Sequence, residues 1–336
     1  MKKRLLWQIP FLALLIIGTV LIIRQQRSMP YQKCKGLIFG TTYSIVYQHD
    51  SDLHPDILAR MQQVDSALSM FNPQSVISRV NANQSVAVND MFRDVFLLAQ
   101  QVSEDTQGAF DITVAPLVNA WGFGFKHGDM PTARDVDSLR AFIGYQKVAL
   151  RGRQIVKSDP RVMLDCSAIA KGYATDAVAR LLDERGVQNY MVEIGGEIVT
   201  RGISPQRIPW KIGVTKPTTD TLAVSNELQT VLNITDKAMA TSGNYRNYYY
   251  KGGRRYAHTI DPHTGYPVQH TILSATVLCD RCALADAYAT SFMVMGFQQA
   301  QQVLKRHPEL MAYLIYDDHG QNKVWYSPSL KDKIAE

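Results

Sequence analysis

The stretch VMLDCSAIAKGYATDAVARLLDERGVQNYMVEIGG, residues 162–196, contains a strand–helix–strand pattern that bears directly on the choice of fold class. Its pattern predicts a strand (VMLDCS), a helix (AIAKGYATDAVARLLDERG) and a second strand (NYMVEIGG), which together form a crossover unit. The loop that enters the helix is a common place for an anionic ligand, because backbone N–H groups point outward at a helix N-terminus. The glycine spacing matches neither a phosphate-binding loop nor a dinucleotide-binding fingerprint.

Helices and strands surround this stretch without regular alternation, which favours an α+β fold over a doubly wound sheet. Helical periodicity is found in LHPDILARMQQVDSALSMF (53–71), NDMFRDVFLLAQQVSEDTQG (89–108) and ALADAYATSFMVMG (283–296), the last ending at Gly296 before another helix. Strands are predicted for LIFGTTYSIVYQ, with Gly40 near its centre, and for EIVTRG, WKIGVT, LQTVLNIT, AMATSG, ILSATVLC and MAYLIYDD. A hairpin, YYYKGGRRYAHTI, turns at residues 252–253, and AFDITVAPLVNAWGFGF (109–125) reads as buried and irregular.

The N-terminus has the pattern of an export signal. Basic residues precede a mostly apolar run from Leu5 to Ile23, and no A-x-A cleavage site follows. At about 1.5 Å per residue this run approaches the thickness of a bilayer core, so we favour an uncleaved anchor over a cleaved signal peptide. We expect a signal anchor or signal peptide over residues 1–27, a linker over 28–36 and one exported domain over 37–330.

The charge distribution argues against nucleic-acid binding. The net charge is +6, but five basic residues lie before position 28, and beyond it 31 basic residues face 30 acidic ones. A nearly neutral body lacks the basic face that neutralises phosphates along a nucleic acid.

Four cysteines do not make a disulfide framework in a chain of this size. Cys279 and Cys282 form a lone C-x-x-C without a second pair or a histidine at finger spacing. We therefore favour core positions or an adventitious disulfide over a zinc site.

The loop HTIDPHTGYPVQH, residues 258–270, holds three histidines. Zinc needs three or four ligands around one point, and Asp261 is the one acidic or thiol side chain in the loop. His263 falls inside the turn and His270 follows Pro267, so the three rings need not converge. His258 is expected at a strand end with its ring available, where Asp261 can orient it.

Asp286 and Thr290 lie four residues apart on a predicted helix, so their oxygens emerge on one face. Two hard oxygen donors suit Mg²⁺, which keeps waters and substrate phosphate as its other ligands. The alternative is that Asp286 only complements the helix N-terminus.

The sequence allows more than one role for two further carboxylates, Asp165 and Asp111. In LDCSAIAKGYATD, Asp165 ends a strand, and Lys171 in the first helical turn allows either an anion cradle or simple capping by Ser167. Asp111 lies between apolar neighbours, where a buried carboxylate needs hydrogen-bond donors or a ligand, or it caps a turn.

Seven segments in one order resemble the ApbE family, the FAD:protein FMN transferases. They are FGTTYSI (39–45), AFDITVAPLVNAWGFG (109–124), LDCSAIAKGYATD (164–176), VEIGGEIVTRG (192–202), ATSGNYRNYY (240–249), HTIDPHTGYPV (258–268) and ALADAYATSFMVMG (283–296). The first block has Phe39 where methionine is usual in the family, and Phe71 stands where tyrosine is common.

The resemblance implies an α+β, T-fold-like core of mainly antiparallel sheet with flanking helices. FAD would be the substrate, its pyrophosphate held by Mg²⁺, and its FMN moiety would pass to a threonine hydroxyl of an acceptor protein with release of AMP. Carried over by position, His258 is catalytic, Mg²⁺ is held by Ala168 through its carbonyl together with Asp286 and Thr290, and the flavin contacts are Phe39, Phe71, Ala109, Phe110, Asp111, Asp165, Lys171 and Ile260.

The resemblance also implies partners and a location. The acceptors would be subunits of membrane redox complexes that carry covalent FMN, and the body would face the periplasm from the bacterial inner membrane. Two alternatives stay open at this point, an Mg²⁺-dependent FAD pyrophosphatase that gives FMN and AMP, and a flavin-binding protein without turnover.

Overall fold

The computed structural model describes residues 2–124, 130–217, 227–244, 248–251, 254–269 and 271–335. Its helices are α1 (Lys2–Ser28), α2 (His54–Leu68), α3 (Val76–Asn81), α4 (Asp90–Asp105), α5 (Ala115–Ala120), α6 (Ala133–Arg140), α7 (Ala170–Glu184) and α8 (Cys282–Arg306), with short 3-10 helices at Tyr145–Lys147 and Pro328–Lys333. The three long periodic segments and the helix after the 162–167 segment are therefore confirmed as helical.

The main sheet has eight antiparallel strands in the order β1-β2-β5-β6-β9-β12-β13-β14. Its members are β1 (Tyr31–Ile38), β2 (Thr41–Gln48), β5 (Tyr190–Ile194), β6 (Glu197–Arg201), β9 (Lys237–Gly243), β12 (Ile272–Cys279), β13 (Met311–Asp318) and β14 (Gln321–Tyr326). Three two-stranded sheets pair β3 (Val148–Arg151) with β4 (Gln154–Lys157), β7 (Trp210–Thr215) with β8 (Leu228–Ile234), and β10 (Tyr248–Lys251) with β11 (Arg254–Ala257). The α+β class with a mainly antiparallel sheet is confirmed.

The main sheet lies between two layers, because alternate side chains of a strand point to opposite faces. On one face Ile45, Val192 and Leu314 pack against the helices in the main hydrophobic core. On the other face the β7–β8 ribbon packs on the sheet through a second cluster, which includes Trp210, Leu232, Met239 and Ile315. The helices and the ribbon therefore stabilise opposite sides of one sheet.

The predicted crossover unit is wrong. Residues 162–167 form one isolated parallel bridge, between Val114 and Met163, and β5 pairs with antiparallel neighbours on both sides. The backbone of Leu164 exchanges two hydrogen bonds with the side chain of Asn81 instead of with a strand. The alternating apolar residues are buried in the helical core, so the pattern reports burial rather than sheet pairing.

The strand predicted around Gly40 is a hairpin, β1–β2. Phe39 and Gly40 form its two-residue turn with positive φ angles of 53° and 71°, which suits the twist of the paired strands. The sequence does not predict this turn, because a phenylalanine seldom adopts a positive φ angle. Strand β1 begins at Tyr31, so residues 31–36 of the expected linker belong to the main sheet.

One other segment differs in detail from the sequence pattern, and one agrees with it. The irregular stretch 109–124 contains the short helix α5, after which Trp121 donates a hydrogen bond from Nε1 to the carbonyl of Gly265 at 2.7 Å. Gly296 interrupts α8 with φ 78° and ψ 175°, which confirms the prediction that one helix ends at this glycine and another begins after it. The turn of the β10–β11 hairpin, residues 252–253, and His270 lie outside the described residues.

The N-terminal helix α1 carries exposed apolar side chains from Phe11 to Ile23. Within the described ranges, no helix has both the length and the apolarity needed to cross a membrane.

A charged contact joins the ends of α4 and α8. Asp105 accepts from Tyr288 Oη at 2.9 Å, from Arg306 at 3.2 Å and from His307 Nε2 at 3.1 Å, while His307 Nδ1 lies 2.9 Å from Glu309. Burial disfavours the charged imidazole, but the hydrogen bonds to Asp105 and Glu309 outweigh it and raise the pKa of His307 above 6.5.

We expect His307→Gln to lower the free energy of unfolding more at pH 6 than at pH 8.5. A raised folded-state pKa gives stability that is complete below the unfolded-state value and is lost as the pH rises through the folded-state value. Solvent screening keeps the difference below about 1 kcal/mol. Urea unfolding of both proteins at the two pH values measures it, and an equal loss at both would contradict the assignment.

Candidate active site

A cleft of about 680 Å³ opens where the sheet, the β7–β8 ribbon and the N-terminal ends of α7 and α8 meet. Eleven of the twelve site residues expected from the sequence line it. They are Phe71, Ala109, Phe110, Asp111, Asp165, Ala168, Lys171, His258, Ile260, Asp286 and Thr290. Residues more than 200 positions apart in the chain are thus brought to one place.

The twelfth, Phe39, is not among the residues that line the cleft. It lies in the β1–β2 turn and packs against the main core. Phe71, in contrast, lines the cleft, and its side chain is 79% exposed. An exposed ring at the wall of a cleft can stack on a planar aromatic ligand.

One cation and two carboxylates form the charged centre of the cleft. Lys171 Nζ lies 3.0 Å from Glu197 Oε1, and the charge of Asp286 also acts on Lys171. Burial disfavours the ammonium of Lys171, but the two carboxylates outweigh it and raise its pKa, so it stays charged. Burial raises the pKa of Asp286 and of Glu197, and Lys171 opposes both increases. With both carboxyls ionised, this centre carries one more negative than positive charge, and a bound cation would favour that ionised form.

Helices α7 and α8 cap each other. Asp286 of α8 accepts a hydrogen bond through Oδ2 from the backbone N–H of Gly172 in the first turn of α7, at 3.1 Å. Asp176 of α7 accepts from the backbone N–H groups of Cys282 and Ala283 at the start of α8, at 2.8 and 2.9 Å. The N-terminus of α8 is thus capped by Asp176, and Asp286 complements the other helix.

Gly172 permits this close contact between the helices. A Cβ atom at this position would lie 2.5 Å from the carbonyl oxygen of Cys282. Cys282 itself is buried, and all four cysteines are free thiols. Cys279, at the end of β12, and Cys282, at the start of α8, therefore occupy core positions and form no disulfide.

The residues expected to hold Mg²⁺ present hard oxygen atoms to the cleft. Thr290 Oγ1 lies 3.0 Å from Ser242 Oγ, and Asp286 is one helical turn away from Thr290 along α8. Ala168 precedes α7 and lines the same cleft with its neighbour Ser167. A carboxylate, a hydroxyl and a carbonyl oxygen fit Mg²⁺, which takes few protein ligands. The described residues contain no group of three or more His, Cys, Asp or Glu side chains that could hold a metal.

Asp111 and Asp165 are buried, and protein donors already bind them. Asp111 accepts from the N–H and the hydroxyl of Thr113 at 2.8 and 2.6 Å, and from the N–H of Tyr145 at 2.8 Å. Asp165 accepts from the N–H of Ser167 at 2.7 Å. Burial raises the pKa of both carboxyls. Both side chains fix turns at the cleft wall, which for Asp111 agrees with the turn-capping interpretation. The alternative of capping by Ser167 is wrong, because α7 begins after Ile169 without a side-chain cap and Lys171 lines the cleft.

The histidine loop separates into two parts. His258 follows β11 and lines the cleft, with the ring of Phe123 edge-on at 6.4 Å between centroids. His263 contacts Asp261 through Nδ1 at 3.2 Å and the carbonyl of Gln107 through Nε2 at 2.8 Å. The side chain of Asp261, expected to orient His258, therefore contacts His263. Of the two, His258 is the histidine that reaches the cleft.

The family model described as "ApbE family" matches residues 39–315. The chain belongs to the ApbE family. A flavin transferase ApbE structure from Vibrio cholerae covers 91% of this chain and 99% of its own, with 34% identity and a TM-score of 0.82. The apo form of the Pseudomonas stutzeri flavinyl transferase ApbE gives 31% identity, 91% and 97% coverage and a TM-score of 0.81.

Curated ApbE relatives are similar over most of both chains. A protein of Vibrio cholerae named FAD:protein FMN transferase is 36% identical over 312 residues, which covers 90% of this chain and 92% of the relative. Its counterpart in Escherichia coli is 34% identical over 297 residues, with 86% and 83% coverage.

Several residues that line the cleft are not predicted as site residues from the sequence, even with the resemblance to the ApbE family. Glu197 begins β6, Thr241 and Ser242 belong to β9, and Gly213 to Thr215 come from β7. Residues 213–215 lie in a segment whose sequence predicts only a strand, whereas Glu197, Thr241 and Ser242 lie within two of the ApbE-like blocks, which assign them no role. The local signal at Glu197 is the pair Gly195–Gly196, a turn that sets it at the beginning of the next strand.

We expect Asp176→Ala to lower the free energy of unfolding by about 2 kcal/mol or more, because two buried N–H groups of α8 would lose their acceptor. Asp135→Ala is the matched control, since it removes the exposed capping box of α6. Urea unfolding compares the two variants. A loss for Asp176→Ala no greater than that for Asp135→Ala would contradict the capping role.

Proposed function

We propose that this protein transfers FMN from FAD to a threonine hydroxyl of an acceptor protein, with release of AMP, in an Mg²⁺-dependent reaction. The observation that carries the proposal is the gathering, in one cleft, of a charged lysine, an oxygen set suited to Mg²⁺ and one histidine. The names of the similar proteins support the same reaction.

Pyrophosphate cleavage is mainly a problem of positioning and charge neutralisation. Bound Mg²⁺ would neutralise phosphate charge, and its protein ligands would be Asp286, Thr290 and the carbonyl of Ala168. Lys171 supplies a second positive charge at the same wall, held there by Glu197. The exposed ring of Phe71 provides a stacking surface for the isoalloxazine.

His258 acts on the acceptor. A neutral imidazole accepts the proton of the threonine hydroxyl as its oxygen bonds to the phosphorus of the FMN moiety. The bond from that phosphorus to the bridging oxygen breaks, and AMP leaves with this oxygen. The new phosphoester joins FMN to the acceptor, so atoms and charge balance without any other reactant.

Incubation with FAD, Mg²⁺ and a candidate acceptor tests the reaction. Intact mass analysis should show the acceptor increased by one FMN, flavin fluorescence should follow it on a denaturing gel, and a Thr→Val acceptor should stay unlabelled. Free FMN without labelled acceptor would favour the FAD pyrophosphatase instead. Tight FAD binding without AMP release would favour a non-catalytic flavin-binding protein.

We also propose a location and a partner class. The acceptors are subunits of membrane redox complexes with covalent FMN, and the body faces the periplasm from the bacterial inner membrane. The basic start of the sequence, its apolar run and the exposed apolar side chains of α1 support export and membrane association. A C-terminal alkaline phosphatase fusion, active only outside the cytoplasm, tests the orientation.

A further inference from the structure

The carboxylate of Glu197 lines the cleft, and in the proposed reaction only one of its two oxygens has a role, that of holding Lys171. Glu197 follows the two-residue turn Gly195–Gly196 between β5 and β6, whose φ angles are 65° and 102°. Positive φ at both positions is the geometry of a tight hairpin turn, which glycine adopts without strain. A Cβ at Gly195 would lie 3.2 Å from Lys171 Cδ, so the turn packs directly against the lysine.

The two oxygens of Glu197 differ in their contacts. Oε1 lies 3.0 Å from Lys171 Nζ, whereas Oε2 is buried and has no hydrogen-bond partner among the described residues. The side chain is only 4% exposed, yet it lines the cleft. A buried polar atom without a partner costs more free energy than the same atom paired. An unpaired oxygen of this kind at the wall of a binding cleft indicates that a group of the ligand donates a hydrogen bond to it.

The position of Glu197 Oε2 restricts the chemical identity of the ligand group that can hydrogen-bond to it. Lys171 Nζ is a compact cation suited to a phosphate, so a ligand atom beside both groups lies next to the pyrophosphate. FAD carries sugar hydroxyls adjacent to its pyrophosphate, and a hydroxyl is a good donor to a carboxylate oxygen.

We propose that Glu197 positions Lys171 through Oε1 and accepts a hydroxyl of bound FAD, adjacent to the pyrophosphate, through Oε2. The inference rests on the proposed assignment of this cleft as the FAD site. Stability alone does not explain such a pair, because a buried ion pair is often no more stabilising than apolar residues of the same volume.

Glu197→Gln is the decisive variant. Glutamine has the same shape but no charge and only one acceptor atom, so it cannot accept from Lys171 and from a hydroxyl through separate atoms as a carboxylate does. We expect the Kd and the KM for FAD to rise roughly tenfold or more, with a smaller change in kcat at saturating FAD, because a hydrogen bond to a charged group is lost. Flavin fluorescence gives the Kd, and AMP release gives the kinetic constants.

Glu184→Gln is the matched control, since it neutralises a glutamate in an exposed ion pair with Arg60. Urea unfolding of each variant establishes that it is folded, and Glu197→Asp, which keeps the charge but shortens the side chain, should fall between wild type and Glu197→Gln. An FAD affinity for folded Glu197→Gln within twofold of wild type would overturn the inference. If wild type itself neither binds FAD nor labels an acceptor, the proposed function fails instead.

Discussion

Replacing Asp286 with asparagine should lower the rate of FMN transfer by about 100-fold or more at a fixed Mg²⁺ concentration. Asparagine keeps an oxygen for the backbone N–H of Gly172, so the contact between α7 and α8 can persist. It removes the negative charge that would hold Mg²⁺ beside the pyrophosphate. The expected loss is therefore chemical rather than structural.

The measurement is AMP release and acceptor labelling over a series of Mg²⁺ concentrations. Activity of Asp286→Asn should recover in part as Mg²⁺ rises, because the weakened site fills by mass action. Asp137→Asn, an exposed aspartate on α6 beside Arg140, serves as the control for a lost surface charge. Wild-type rates and Mg²⁺ dependence in Asp286→Asn would remove this residue from the metal site.

His258→Gln should reduce transfer to the protein acceptor by about 100-fold to 10,000-fold, the range expected for loss of a general base. The Kd for FAD should change little, because the imidazole acts on the acceptor hydroxyl and not on the nucleotide. The effect should thus appear in kcat, and flavin fluorescence would show that FAD still binds.

His263→Gln provides a control within the same loop. His263 contacts Asp261 and the carbonyl of Gln107 and is not among the residues that line the cleft, so its variant should retain transfer. Equal losses in the two variants would mean that the loop, rather than the base, limits the reaction. Full activity in His258→Gln would exclude the proposed proton acceptor.

The sequence predicts the long helices well because their apolar residues recur at helical spacing over long segments, as in α4 and α7, whereas the shorter α3, α5 and α6 are not predicted. It also identifies most residues of the cleft, since the ordered motif blocks that resemble the ApbE family include Asp111, Lys171 and Asp286. The order of these blocks along the chain can be recognised without knowing how the strands of the sheet pair.

The pairing of the strands and the remaining cleft residues depend on contacts between distant segments, which local sequence patterns do not encode. Apolar alternation at residues 162–167 predicts a strand, but Leu164 is buried against helices and its backbone binds Asn81. The β1–β2 turn uses Phe39 at a positive φ, against the usual preference. Glu197 reads as the polar start of a strand, and only the packing of the β5–β6 turn brings it to Lys171.

The mutual capping of α7 and α8 has a consequence for the order in which the molecule assembles. The hydrogen bonds of Asp176 and Asp286 join residues 106 to 114 positions apart. During synthesis, the first turn of α7 therefore waits for its acceptor until the start of α8 has left the ribosome. The cleft, which residues of both helices line, is therefore complete only after the start of α8 has been synthesised.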